Sequence, residues 1–277
     1  MGGFGVSVGS DPLDEVLLRR AQTTGKAGRS ANPTVTVIIP ALNEAENLPY
    51  VLGRLDPRLH EVILVDGDSV DDTTGIAQRL YPGLRALSQP LRGKGDALCA
   101  GFRAATGDII VMLDADGSAD PAEIPAFVGA LCAGADFAKG SRFIQGAGTS
   151  DMPLYRRLGN FSFVLLVRLL FGGRYSDLCY GYNAFWSDVL PRLRLDSNGF
   201  EIETVMNIRT LRAKLHVVEV ASFESRRVYG SSKLRTVPDG WLVLKAILRE
   251  RLMQFPPERR QKSRPATERA EVGSNLK

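Results

Sequence analysis

Two short runs, Glu61–Asp66 (EVILVD) and Asp108–Asp114 (DIIVMLD), constrain the fold of this chain more than any other feature. Each is too short for a typical helix, apolar at consecutive interior positions and closed by a carboxylate. A strand that is apolar on both faces must be covered on both faces, and that is the condition of a parallel sheet wrapped by helices. Thr34–Pro40 (TVTVIIP) has the same β-branched character. Helical stretches separate these runs. Ala45–Leu55 is one, with Pro49 inside it. Asp71–Leu80 has Asp71 or Asp72 at its N-cap, Lys94–Ala105 follows the glycine turn Gly93-Lys94-Gly95, and Pro121–Cys132 carries proline in its first turn. The alternation predicts an α/β fold with a Rossmann-like, mostly parallel sheet flanked by helices.

In such a sheet ligands bind outside the carboxyl ends of the strands. Those ends carry Pro40-Ala41-Leu42-Asn43-Glu44, Asp66-Gly67-Asp68 and Asp114-Ala115-Asp116. Two aspartates spaced by one small residue, on a turn after an apolar strand, offer hard oxygens to Mg²⁺ or Mn²⁺. Such an ion keeps some waters and takes phosphate oxygens as further ligands. The bland alternative is an acidic solvent turn. Asp66 suits a ribose hydroxyl or a base edge; helix capping accounts for Asp71 and Asp72 but comes too late in the chain to account for Asp66. Lys94 stands between two glycines ahead of a helix, where the backbone and an amine can approach a phosphate. The Gly-x4-Gly-Lys-Ser/Thr spacing of a phosphate-binding loop is absent, and no G-x-G-x-x-G follows the first strand, so a dinucleotide fold is disfavoured.

Composition removes other chemistries. With three scattered cysteines and two histidines, the chain of 277 residues has neither a disulfide framework nor enough soft ligands for a Cys- or His-based metal site. Neither histidine lies near a nucleophile motif, which weakens a Ser-His-Asp reading. Thirty-five basic against 31 acidic residues leave a net charge of +4, too mild to indicate nucleic acid, and no nucleic-acid partner is expected. Basic residues gather at the ends and after residue 150, whereas carboxylates gather between 66 and 123, which suits a metal beside an anionic substrate or membrane face. No segment reaches the roughly 18 to 20 apolar residues of a bilayer span. Phe161–Phe171 (FSFVLLVRLLF), broken by Arg168, reads as a buried or interfacial helix, and Gly240–Phe255 as a helix with an apolar face and basic flanks. The expected location is cytoplasmic, with peripheral contact at the cytoplasmic face of a membrane. Residues 1–32 read as a flexible arm, 33–255 as the folded domain and 256–277 as a disordered basic tail.

The segments VIIPALNEAENL, VDGDSVDDT, GKGDAL, MLDADGSADPAEI, GSRF, SDLCYGYNAFW, GFEIET and RVYGSSKL occur in this order over about residues 34–235. Together they resemble the GT-A fold glycosyltransferases of family 2, and within them the dolichol-phosphate mannose synthase group of polyprenyl-phosphate glycosyltransferases. The resemblance implies a GT-A catalytic domain in which Pro40, Ala41, Asn43, Glu44 and Asp66, with Asp68 beside them, bind the nucleotide of a sugar nucleotide. It implies that Asp114 and Asp116 hold Mg²⁺ or Mn²⁺, with Ser118 as a further polar ligand. It implies that Arg142 handles phosphate, that Arg156 sits on the acceptor side, and that Arg227 and Lys233 belong to the closing Arg-x-x-Gly-x-Ser-Lys segment. The chain departs from the pattern at Ala41, Leu42 and Asn160, and the C-terminal transmembrane helices of many relatives are not expected in it.

These assignments imply a metal-dependent, inverting transfer of a hexose, mannose or glucose, from a GDP- or UDP-sugar to a polyprenyl phosphate. An acceptor phosphate is already an anion and needs no base. A sugar or alcohol acceptor would need one, and Glu201 and Glu203 in GFEIET are the candidates, unless they only stabilise the start of a helix. Arg227 either handles phosphate or pairs with Glu224 at the surface. The alternatives are transfer to a soluble acceptor and a non-catalytic protein that binds sugar nucleotides.

Overall fold

The computed structural model describes residues 29–231 and 235–253. The first half alternates as expected: β1 (Val35–Ala41), α1 (Leu48–Leu52), β2 (Glu61–Asp66), α2 (Thr73–Leu80), β3 (Arg85–Ser88), α3 (Lys94–Ala104), β4 (Ile109–Met112) and α4 (Ile124–Cys132). The second half adds β5 (Phe137–Ser141), β6 (Gly148–Thr149), α5 (Leu154–Phe171), β7 (Asn183–Trp186), α6 (Leu190–Leu193), α7 (Ile202–Arg212), β8 (Val217–Ala221), β9 (Phe223–Glu224) and α8 (Thr236–Leu252). Seven strands form one sheet in the order β3-β2-β1-β4-β7-β5-β8. Its pairs are parallel except where β7 runs antiparallel between β4 and β5. A short parallel β6–β9 ladder lies apart from it.

Val37–Ile39, Val62–Val65 and Ile109–Met112 are buried on both faces of the sheet, the packing that their unbroken apolar runs require. Each such side chain contributes roughly 1.5 to 3 kcal/mol by leaving water, so these strands anchor the rim that follows them. The strand order reverses at β1, with β2 and β3 on one side and β4 on the other. The loops after β1, β2 and β4 therefore open side by side at a switch point. A second, smaller core joins Val167 of α5, Ile208 of α7 and Val243 and Ile247 of α8. It fastens α5 and α8 across one side of the crevice.

Several boundaries shift for local reasons. Residues 45–47 form turns, so α1 starts only at Leu48, with Pro49 in its first turn, and closes at Gly53. A single 3-10 turn, Pro121–Glu123, capped by the Asp120 side chain on the Ala122 N–H, precedes α4. Asp72 occupies the N-cap position of α2 without a side-chain bond, and Asp71 bonds the Thr73 N–H instead. The fold also begins earlier than expected. Arg29, within the expected arm, pairs with Asp136 and Asp188 at 2.8 Å each and lies over the Trp186 ring. Phe161–Phe171 belongs to the longer α5, in which only Asn160 and Val167 are buried. Among the described residues no helix is long and apolar enough to cross a membrane.

Candidate active site

A cleft of about 940 Å³ lies over the switch point. Its wall includes Pro40, Ala41, Glu44, Asp66 and Asp68 from the ends of β1 and β2 and the loops that follow, and Asp114, Asp116 and Ser118 after β4. Arg142, Arg156, Arg227 and Lys94 also line it, so most of the residues singled out from the sequence converge on one space.

The β1 and β2 loops are stitched together by their own polar groups. Asn43 takes a positive φ of 51°, which asparagine tolerates better than most residues. Its Oδ1 accepts the Val70 N–H at 2.8 Å, and its own N–H donates to Ser69 Oγ at 2.8 Å. Ser69 in turn donates from Oγ to Asp66 Oδ1 at 2.5 Å. Asn43 is thus a loop-setting residue and forms no part of the cleft wall, whereas Asp66 and Asp68 do.

Asp114 and Asp116 are each held by a cation of the chain itself. Lys94 Nζ is 2.7 Å from Asp114 Oδ1 and 2.8 Å from Glu203 Oε1. Burial alone would push the Lys94 amine down, but Asp114 and Glu203 outweigh it and hold its pKa above the usual lysine value. Asp116 Oδ1 accepts the Ser118 N–H at 3.0 Å, and its Oδ2 lies 3.1 Å from Arg227 Nη2. Arg227 Nη1 lies 3.0 Å from both oxygens of Glu44. Arg227 therefore does not pair with Glu224, which instead accepts from Arg142.

The glycines around Lys94 have a different use from the one expected. A Cβ on Gly95 would stand 2.1 Å from the Ser197 carbonyl oxygen, and one on Gly93 2.3 Å from that of Asn198. The Gly95 and Asp96 N–H groups donate to Asn198 O. These amides at the start of α3 are thus engaged by the 197–198 loop, and the glycines serve its close approach. Lys94 itself does reach the cleft.

Arg142 is nearly enclosed. Its Nε and Nη2 donate to the fully buried Asp177 at 2.7 and 2.9 Å, its Nη1 to Glu224 at 3.0 Å, and its guanidinium lies 4.7 Å from the Tyr180 ring centroid. Burial disfavours both charges, yet each holds the other ionised: Asp177 falls below the usual carboxylate range and Arg142 rises. Arg156 donates from Nε to Thr236 Oγ1 at 3.1 Å, linking α5 to the start of α8. Lys233 lies outside the described residues.

Glu201 and Glu203 separate. Two positions along a helix differ by about 200°, so the two side chains leave on opposite sides. Glu203 lines the cleft, whereas Glu201 does not, and Glu201 turns back to accept the Gly199 N–H at 3.2 Å. Glu201, expected on the acceptor side or as a base, therefore lies outside the cleft wall, and of the two only Glu203 lines it. Nothing in the sequence marks Asp177 and Glu224 as site residues. Both are remote in the chain from the arginine they hold, and no local pattern marks such pairing.

Residues 36–193 match the sequence profile of glycosyl transferase family 2, more than half of the chain. The chain belongs to glycosyl transferase family 2. It is 34% identical over 210 residues to a dolichol-phosphate mannosyltransferase of Pyrococcus furiosus, covering 73% of this chain and 59% of that one. It is 33% identical over 236 residues to a polyprenol monophosphomannose synthase of Mycolicibacterium smegmatis, covering 78% of this chain and 87% of the relative. An undecaprenyl-phosphate mannosyltransferase of Micrococcus luteus is 34% identical over 212 residues, covering 72% and 87%. The chain thus spans less than two thirds of the P. furiosus protein. Among solved structures, glucosyl-3-phosphoglycerate synthase from Mycobacterium tuberculosis, in complex with Mn²⁺, UDP and glucosyl-3-phosphoglycerate, superposes with a TM-score of 0.64. The two are 24% identical, and the match covers 91% of this chain and 88% of that one. A further mycobacterial protein gives 0.66 at 22% identity, covering 89% and 80%. The family 2 chain has the GT-A sheet that its motifs implied.

The donor set of this family 2 site fits a divalent cation only as a shared site. Among the described residues no three or more Asp, Glu, His or Cys side chains converge as a ready metal cage. The protein offers Asp114 and Asp116, hard oxygens that suit Mg²⁺ or Mn²⁺, and the remaining positions suit waters and phosphate oxygens.

Proposed function

We propose that this glycosyltransferase moves a hexose from a nucleoside diphosphate sugar to a polyprenyl phosphate, with inversion and with a divalent ion at Asp114 and Asp116. The observation that carries the reading is the pairing within the cleft. Asp66, Asp114 and Asp116 line it together with four arginines, Arg92, Arg142, Arg156 and Arg227. A cluster of guanidinium groups is what two mutually repelling phosphates need, and an alcohol acceptor needs none. Glu203 is the carboxylate best placed to serve as a base, and its Oε1 is engaged by Lys94. Asp116 is engaged by Arg227 and Asp114 by Lys94. Inversion requires one displacement. The acceptor phosphate oxygen forms a bond to the anomeric carbon as the bond from that carbon to the nucleoside diphosphate breaks. A bound divalent ion would take up charge developing on the leaving diphosphate. Arg142, fixed by Asp177, and Arg227 would orient phosphate oxygens, and the loop set by Asn43 and Asp66 would seat the nucleoside. The relatives named as dolichol-phosphate, polyprenol and undecaprenyl-phosphate mannosyltransferases support a polyprenyl phosphate acceptor and a mannosyl donor.

The flank of the cleft supports a membrane-borne acceptor. Leu158, Phe161, Leu165 and Leu169 form an exposed stripe on α5, and Val237, Trp241, Leu248 and Leu252 one on α8. Helix α5 contains no acidic residue, and the two in α8, Asp239 and Glu250, are buried, so the exposed charges on both helices are basic. Apolar side chains among arginines and lysines suit the surface of an anionic bilayer. Phe163 and Gly240 belong both to the cleft wall and to an apolar groove of about 540 Å³ between these helices, a route for an isoprenoid chain.

A screen of GDP- and UDP-hexoses against short polyprenyl phosphates in detergent, with and without EDTA, tests the reading. Glycolipid formation that needs a divalent ion is expected. Preference for a neutral sugar acceptor would replace it with transfer to a soluble acceptor.

A further inference from the structure

Both carboxylates of the Asp-x-Asp turn are already occupied by cations of the chain, but the two cations are mounted differently. Lys94 is the first residue of α3 and is clasped by Asp114 on one side and Glu203 on the other. A Cβ on Gly181 would lie 2.8 Å from both Lys94 Nζ and Asp114 Oδ2, so backbone closes over this pair. Arg227 lies instead on an irregular segment after β9 and bridges with its two terminal nitrogens. Nη1 is fixed to Glu44, whose Oε2 also accepts from Asn47 Nδ2 at 2.7 Å. Asn47 also exchanges hydrogen bonds with the backbone of Tyr229, at 2.9 Å to its N–H and 3.2 Å to its carbonyl. Nη2 alone reaches Asp116 Oδ2, and Asp116 Oδ1 is committed to the Ser118 N–H. A divalent ion at Asp116 must therefore approach a carboxylate that the guanidinium already holds, against the guanidinium's own positive charge.

Resting on the assignment of Asp114 and Asp116 to the metal, we propose that Arg227 is a resident counter-ion of the metal site. It holds Asp116 in the empty enzyme, and the donor diphosphate draws its Nη2 off while Nη1 stays on Glu44. Metal ion and nucleotide then bind as a coupled unit, because the diphosphate accepts the arginine that the ion must displace. The movement needed is a rotation about the anchored nitrogen, which leaves the Asn47–Tyr229 clasp intact. Coupling of this kind is reciprocal: the nucleotide tightens the ion by the same factor as the ion tightens the nucleotide. A charge-assisted hydrogen bond carries about a tenfold to hundredfold effect, and that sets the expected size.

The test is Mn²⁺ binding, read from the electron paramagnetic resonance of free Mn²⁺, with and without GDP or UDP and with no acceptor or turnover. Wild type is expected to bind Mn²⁺ weakly alone and more tightly with one of the nucleotides. In Arg227→Gln, Mn²⁺ alone should bind about tenfold or more tightly than to wild type, and the gain on adding nucleotide should shrink by the same factor. Arg227→Lys keeps the charge and should stay near wild type. Unchanged or weaker Mn²⁺ binding by the Gln variant overturns the proposal, as does a Lys variant that binds as tightly as the Gln variant. If wild type binds no Mn²⁺ even with either nucleotide, the metal assignment falls together with the proposal. If coupled binding is seen but Arg227→Gln does not alter it, only the role of Arg227 falls.

Discussion

Removing the Asp177 carboxylate should unbalance the best-buried ion pair of the cleft. Asp177 is fully buried and Arg142 is 5% exposed; two side-chain hydrogen bonds join them, at 2.7 and 2.9 Å, and the Arg142 backbone N–H donates to Asp177 at 3.3 Å. In Asp177→Ala the guanidinium keeps Glu224 but loses its deeper partner and stays desolvated. Breaking a buried pair from one side costs about 3 to 5 kcal/mol, against at most about 1 kcal/mol for an exposed pair such as Arg54–Asp120. At about 2 to 4 °C per kcal/mol for a domain of this size, Tm should fall by roughly 6 to 20 °C. Urea or thermal unfolding followed by circular dichroism measures it. The double variant Asp177→Ala, Arg142→Met should be less destabilised than Asp177→Ala alone, because it removes the desolvated guanidinium and leaves only Glu224, a partly exposed carboxylate that keeps its hydrogen bond from Thr149 Oγ1. Asp177 has a lowered pKa, so its contribution is complete above the unfolded value of about 4 and fades only as pH falls below that. A loss under about 1 kcal/mol, or a double variant less stable than the single one, would refute this account.

Asp116→Ala should abolish transfer at any metal concentration while unfolding close to wild type, since the residue lies on a rim and not in the core; full activity of this variant in EDTA would remove the metal assignment. Gly95→Ala should destabilise by about 1 to 3 kcal/mol in urea titrations, because the new methyl group meets the Ser197 carbonyl at 2.1 Å, and an unchanged midpoint would mean that the 197–198 loop yields freely. Leu165→Glu combined with Trp241→Glu should weaken sedimentation with anionic vesicles by at least about tenfold, each substitution giving up roughly 1.5 to 3 kcal/mol of apolar burial. Equal vesicle binding by this variant would exclude the α5–α8 face as the contact.

Some of the site is legible because its cause is local. A six-residue run such as Glu61–Asp66 can be buried on both faces only in a covered sheet, and its final carboxylate then has to stand at the rim. The same holds for β4 and the Asp-x-Asp turn, and β1, β2 and β4 are indeed neighbours. Glycines before a helix favour a phosphate-binding use of Lys94. The competing use, close approach of a distant backbone, leaves no trace near Lys94 in the sequence. Glu201 and Glu203 were indistinguishable because a segment of six residues does not fix the rotational phase of the helix that it starts.

The sequence by itself determined the layered α/β architecture and the acidic rim, because strand burial and strand ends depend on residues a few positions apart. Only the tertiary structure decided which charge meets which. Arg227 lies 183 residues from Glu44 and 111 from Asp116, and Arg142 lies 35 from Asp177 and 82 from Glu224. A guanidinium bonds whichever carboxylate the closed fold brings within about 3 Å. At such separations along the chain that choice belongs to the packing of whole elements, which no neighbouring residue records.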